Sequence, residues 1–427
     1  DVAAQVPHGA VRLHVMGERG AQREPATAEE IAQMAALAAE GVAAGALGFT
    51  TSRTMNHRTS RGEPTPTLTA SSDELVGIAR GLGELGTGVL QVVSDHMNTD
   101  EEFATFRRMV SESGRPLSFS LVQSPLDPDG YREVLGRIDA AQTDGLAITA
   151  QVGTRAVGLL LGLQCTLHPF LNNPVFAEIA ALPVPEQVRV MADEGFKARV
   201  LEAAASGKVR KLGGGLIGRF EAMYELGDPP DYEPEAGDSI AACAAREGRA
   251  VEDFVYDLLV ADQGRTLLYL PALNFADGTL DAVGEMLAHP HTVPGLSDGG
   301  AHVGTISDGS FPTTLLTLWG RDRDRGRLDL AYLVQQHCRD TARTVGLHDR
   351  GVLAPGYRAD VNVIDFDNLR ARRPEVRYDL PAGGRRLLQR ADGYLHTVVA
   401  GVETYRGGEP TGELPGRLVR GARPTPA

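Results

Sequence analysis

Short apolar runs alternate with longer amphipathic stretches along most of this chain. Val2–Pro7 reads as a strand. A helix follows, with Thr27 as N-cap and Glu30 three residues on, a capping-box pattern whose alanine-rich body runs to about Ala44 before Gly45 stops it. The pattern then predicts a strand over Ala46–Thr51, a polar loop over Ser52–Ser72 and a helix from Asp73 to about Leu85. It continues with strand Val89–Ser94, helix Glu101–Glu112, strand Pro116–Val122, helix Asp129–Gln142 and strand Leu146–Val152. Consecutive strand–helix units of this kind imply parallel strands joined by right-handed crossovers.

A sixth strand, Thr292–Ser297, comes only after a long insertion and precedes a helix from about Leu328 to Val345. The insertion, about 153–291, is too long for a plain loop. It holds helical patterns over Val184–Ala205 and Ser239–Asp262 and a strand-like piece, Thr266–Leu270. Past Gly351 the pattern shortens to small strands (Val361–Ile364, Thr397–Val399, Val402–Tyr405) separated by Gly, Pro and Asp turns, a β region over 352–427. Six parallel units fit either an open doubly wound sheet or an eight-stranded barrel without its first two units. A doubly wound dinucleotide fold calls for GxGxxG after the first strand. The Gly213-Gly214-Gly215 run lies instead deep in the insertion, without the strand-to-helix setting.

Composition narrows the class. The chain has 427 residues, 42% of them hydrophobic, and a net charge of -14. Its basic residues are dispersed, which argues against nucleic acid and anionic membrane as partners. No apolar run reaches the ~18 residues that span a bilayer. Cys165, Cys243 and Cys338 are far apart and odd in number, which fits a reducing cytoplasm rather than a disulfide framework. The start has neither the basic nor the apolar part of a signal peptide and reads as the middle of a strand.

The richest chemistry lies at Leu296-Ser297-Asp298-Gly299-Gly300-Ala301-His302, where an apolar strand ends on an acid, two glycines and a histidine. In a barrel, strand C-termini face the active site. An aspartate there can bind a metal ion and accept a proton from water that the ion acidifies toward pKa ~7; it can equally cap a solvated turn. His8 and His96 follow other strands and are either ligands or structural hydrogen-bonders. His57, His168, His289 and His291 read as loop histidines. No HExxH, no His-x-His at a strand end and no GxSxG elbow appears.

These residues resemble a known family. Leu296–His302 looks like the final-strand Asp motif of amidohydrolases, and Thr341–Asp365, with Gly351-Val352-Leu353-Ala354-Pro355-Gly356 at its centre, resembles their closing signature. Ala44–Thr51, Asp379–Arg386 and Gly408–Arg417 are similar to the N-acyl-D-amino-acid deacylase (D-aminoacylase) branch. The resemblance implies an α/β fold: a TIM-like (β/α)8 barrel, strands three to eight present in residues 1–351, with a small β-sandwich whose C-terminal half is 352–427. It implies hydrolysis of a linear amide of a small molecule by metal-activated water, with Asp298 as catalytic base and metal ligand, His96 as a second ligand, and His8, Ser52, His302 and Arg155 at the substrate. The family's His-x-His of strand one and its metal-binding Cys after strand two have no counterpart, so an N-terminal segment is expected from the same protein or a separate chain. Leu121 falls where the family has a histidine in strand six. One divalent ion, zinc by ligand type, is therefore expected rather than two. A catalytically silent ligand-binding barrel and a cyclic-amide hydrolase are the alternative readings, and a homo-oligomer is compatible with all of them.

Overall fold

The computed structural model describes residues 1–96, 98–206, 217–295, 297 and 303–426. Along the chain, β1 (Val6–Pro7) passes directly into α1 (His8–Met16) and a short α2 (Glu18–Ala21). α3 (Ala28–Ala43) starts at Thr27 with both hydrogen bonds of a capping box and ends before Gly45. Then come β2 (Gly48–Arg53), α4 (Ser72–Leu85), β3 (Val89–Ser94), α5 (Thr99–Ser113), β4 (Leu117–Leu121), α6 (Gly130–Thr143) and β5 (Ile148–Gly153).

The insertion follows. Its strands β6 (Val157–Leu161), β7 (Tyr224–Glu225) and β8 (Leu268–Leu273) form an antiparallel sheet in the order β6-β8-β7. Its helices are α7 (Val184–Met191), α8 (Glu194–Ala205), α9 (Ile240–Arg246) and α10 (Val251–Gly264). Together they enclose a hydrophobic core of their own around Phe170, Phe176, Met191, Phe196, Met223, Val255 and Tyr256. α11 (Asp281–Ala288) packs back against β5 and β9 (Thr292–Gly295), so it belongs to the layer of helices around the main sheet.

β1-β2-β3-β4-β5-β9 make one parallel sheet in sequential order, the order in which strands succeed one another around a barrel wall. Period-two alternation sets its two faces. Phe49, Leu90, Val92, Leu117, Phe119, Leu121, Ile148, Ala150 and Val152 turn toward the helices and share the main core with Leu75, Ile78, Phe103, Phe106 and Ile138. The opposite face carries Thr50, Ser52, Gln91, Ser118, Ser120, Thr149 and Gln151, with Gln151 donating to the Ser118 hydroxyl at 2.9 Å. β2 and β3 approach so closely that a Cβ on Gly48 would lie 1.9 Å from the Val89 carbonyl oxygen.

After β9, α12 (Phe311–Thr314) continues through wide turns to Asp322 and buries Trp319, whose indole N–H donates to the Thr154 carbonyl at 2.7 Å. α13 (Leu330–Gln335), a wide-turn stretch and α14 (Thr341–Thr344) form the last helical rod. The β region holds a four-stranded antiparallel sheet, β10 (Val361–Ile364), β15 (Tyr394–Val399), β16 (Val402–Arg406) and β17 (Glu409–Pro410). The pairs β11 (Arg370–Ala371) with β14 (Ala391–Asp392) and β12 (Glu375–Leu380) with β13 (Gly384–Leu388) complete it. The chain then returns to its start: Val2 bridges Leu418, and Asp1 takes hydrogen bonds from Arg350, Arg358 and the Arg417 amide.

Candidate active site at the strand C-terminal ends

Three loops leaving the C-terminal edge of the sheet carry the described candidate residues. Ser52 stands near the end of β2, and the turn 54–57 follows that strand. After β3 come Asp95 and His96. After β5 comes Arg155, beside β9 through the Gly153–Gly295 pairing. Asp298 and His302 follow β9 in sequence and lie outside the described residues, as does the Gly213–Gly215 loop.

His96 has a left-handed backbone, φ +51°, which a non-glycine residue adopts at a cost of about 1 kcal/mol or more. That conformation turns its ring edge-on to Phe119 and Phe106, at 5.2 and 6.2 Å between centroids. Both ring nitrogens are shielded from solvent; the Ser120 backbone lies near the ring but outside hydrogen-bond geometry. Burial holds the imidazole below its ordinary pKa, against the pull of Glu102, the Ser120 backbone and Asp95. A neutral imidazole with free nitrogens is in the state a metal ligand requires. Among the described residues, however, no three His, Cys, Asp or Glu side chains gather closely enough to hold an ion. Leu121, the residue expected at a ligand position, points with Leu117 and Phe119 into the helix-side core. Ser118 and Ser120 are the β4 residues on the opposite face. A one-residue slip in register exchanges the faces of a strand, which is why spacing alone cannot decide this point.

His8, expected at the substrate, is 1% exposed. Its Nε2 is 2.9 Å from Glu74 Oε1 and its Nδ1 is 2.8 Å from the Thr51 hydroxyl. Arg12 Nε donates to the same Glu74 oxygen at 2.8 Å. Burial lowers the His8 pKa. For Glu74 burial acts upward, but the hydrogen bonds from His8 and Arg12 outweigh it and hold the carboxyl below its usual range. This buried triad ties α1 and α4 to Thr51, next to Ser52, and leaves no His8 nitrogen free for a substrate.

Arg155 is 3% exposed. Its guanidinium lies over the Tyr232 ring at 3.6 Å and near Phe311 at 4.8 Å. Nη2 donates to the Ser307 carbonyl at 2.9 Å and the Ser310 hydroxyl at 3.0 Å. Arg155 thus ties Ser307 and Ser310 to Tyr232 of the insertion. Gln123 makes a parallel link. It accepts from Ala276 N, donates from Nε2 to Asp277 and from its backbone N–H to the Asn274 side chain, joining the end of β4 to the segment after β8. Ser52 places its hydroxyl 2.7 Å from His57 Nδ1. That contact was not legible in the sequence, where His57 reads as a solvated loop residue; Ser52-x4-His57 is no recognised motif.

The polar inner face, the loops at one edge and the helical shell define an α/β-barrel scaffold with an attached β region. The chain belongs to the amidohydrolase family, whose model matches residues 1–211 and 234–405. Among solved structures it is similar to a D-aminoacylase that defines a novel subset of amidohydrolases, with TM-score 0.56 and 20% identity over 99% of this chain and 71% of that one. An aspartate-to-alanine mutant of D-aminoacylase in complex with copper chloride matches with TM-score 0.55 and 21% identity over 96% of this chain and 70% of that one. These likenesses establish the fold: a TIM-like barrel with a small β-sandwich. Two curated relatives, 5-methylthioadenosine/S-adenosylhomocysteine deaminases of Desulfitobacterium hafniense (strains DSM 10664 / DCB-2 and Y51), are 42% identical over 85 residues, 18% of this chain. The match spans 20% of the length of those relatives.

Proposed function

We propose that this protein is a metal-dependent hydrolase of linear amide bonds that deacylates an N-acyl amino acid or a similar small amide. The observation that carries the reading is family membership over both chain segments, joined to a fold likeness to D-aminoacylase that spans 99% of the chain. His96, with two shielded and unpartnered ring nitrogens, is the described side chain whose condition fits a metal ligand. Asp298 is its proposed companion. A divalent ion bound there, one zinc by ligand preference, would polarise the acyl carbonyl and acidify water.

The chain's own residues do the rest. Asp298 accepts the proton of the attacking water and returns it to the departing amine. Arg155 holds Ser307 and Ser310, and His302 and Ser52 contact the substrate. His8 acts at one remove, fixing Thr51 beside Ser52.

A second reading, a silent barrel that binds a small ligand, is favoured by one observation: the described residues gather no three metal donors. Elemental analysis of purified native protein separates the two. About one zinc or similar ion per chain supports the hydrolase. Metal at background level, in protein whose fold is intact, removes the metal-dependent mechanism and leaves the binding reading.

A further inference from the structure

The Ser52–His57 contact is built, not incidental. Ser52 stands near the C-terminal end of β2, on the face turned away from the helices, with its hydroxyl 2.7 Å from His57 Nδ1. The turn between them is held by a neighbouring strand: Asp95, just after β3, accepts from the Thr54 hydroxyl at 2.5 Å and from the Met55 amide at 2.7 Å. The Thr54 hydroxyl in turn accepts from the Asn56 amide at 3.0 Å. The Ser52 carbonyl is fixed separately by the Thr67 hydroxyl at 2.6 Å. Four hydrogen bonds therefore bring an otherwise exposed imidazole back onto one serine.

With the Ser52 hydroxyl as donor, His57 Nδ1 accepts and the ring carries its proton on Nε2, which its exposure leaves to water. This is the nucleophile–base half of a serine hydrolase triad. Among the described residues no carboxylate pairs with a His57 ring nitrogen to orient it, so the pair suits substrates with good leaving groups rather than amides.

We propose that Ser52 and His57 form a nucleophile–base pair that hydrolyses small activated carboxylic esters without a metal. His57 Nδ1 takes the Oγ proton as Oγ bonds the acyl carbon; the ester C–O bond breaks and the alcohol leaves with that proton. Water then attacks the acyl-serine, again giving its proton to His57, and the carboxylic acid departs as Ser52 recovers its hydrogen.

The test uses the full chain in excess chelator, with a fluorophosphonate probe and p-nitrophenyl acetate. In the labelling step Oγ bonds phosphorus, the P–F bond breaks, and fluoride leaves as His57 takes the proton. Mass spectrometry is expected to place the adduct on Ser52. Ser52→Ala should carry none there, and His57→Gln should slow labelling and ester turnover by about a hundredfold or more. No adduct on Ser52 of the unmodified protein, or equal rates with His57→Gln, overturns the proposal. Chelator keeps this test separate from the amide-hydrolase reading: loss of amide hydrolysis leaves the labelling result untouched.

Discussion

The guanidinium of Arg155 lies over the ring of Tyr232, its Cζ 3.6 Å from the centroid, so a residue just past β5 is locked to one in the insertion. Because the same group bonds Ser307 and Ser310, one side chain joins the sheet edge, the insertion and the loop after β9. Desolvated cation–π contacts contribute about 2 kcal/mol and hydrogen bonds from a charged donor about 1.5–3 kcal/mol. Arg155→Met should therefore destabilise the protein by about 2–4 kcal/mol. Arg155→Lys should recover little, because an ammonium neither stacks nor reaches two acceptors in one plane. Chemical denaturation checks the magnitude.

Glu74 is the shared acceptor of His8 and Arg12, and all three side chains are fully buried. Removing one partner of a buried ion pair strands the other charge, at about 3–5 kcal/mol. Glu74→Gln is expected to lower stability by that order. Arg12 retains its bonds to the Gly20 and Glu24 carbonyls, which limits the loss. If the denaturation midpoint moves by less than the equivalent of about 1 kcal/mol, the triad is not a major tie between α1 and α4.

His168 gives a pH dependence of known sign. It is 3% exposed, packs edge-on to Phe176 at 4.5 Å, and has no partner for Nδ1. Burial, assisted by Arg385, lowers its pKa from 6.5 to about 4. Below pH 6.5 the unfolded chain binds a proton that the folded chain refuses. The stability contribution is therefore complete above about 6.5 and is lost as pH falls toward 4, about 3 kcal/mol in all. His8, His96 and His337 are shifted in the same direction and add to the slope. His168→Phe should reduce the difference in unfolding free energy between pH 7 and pH 4. An unchanged difference means that His168 opens to solvent before the molecule unfolds.

The alternation of strands and helices was legible because core-facing positions repeat with period 2 in β3, β4 and β5 and with helical period in α3 to α6. The capping box at Thr27 marked one helix start. α1 was not legible: it begins directly after Pro7 with no side-chain cap, so nothing in the sequence marks 8–16 as a helix. The helix at 311–322 was hidden by its Pro312 and its wide turns. At the site, the sequence supplied residue types but not partners. Nothing near His8 foretells Glu74, sixty-six positions away, and nothing near His57 foretells its return to Ser52 under the hold of Asp95. Such contacts depend on which strand lies next to which, and only the folded sheet decides that.

The proposed chemistry stands or falls with Asp298. A carboxylate that takes a proton from water and delivers it to the amine works through its basicity, which an amide of the same shape lacks. Asp298→Asn should lower kcat for an N-acyl amino acid by about 10²–10⁴-fold, the usual share of a general acid–base group, with a much smaller change in KM. His96→Phe makes a different demand: it packs equally well against Phe106 and Phe119, so the fold should hold while bound metal per chain falls. Steady-state kinetics on the first variant and elemental analysis with thermal melting on the second separate the two roles. If His96→Phe keeps its full metal content, His96 is a packing residue and the ion sits elsewhere. If Asp298→Asn keeps its rate, proton transfer from that position is not part of the mechanism, whatever the metal content.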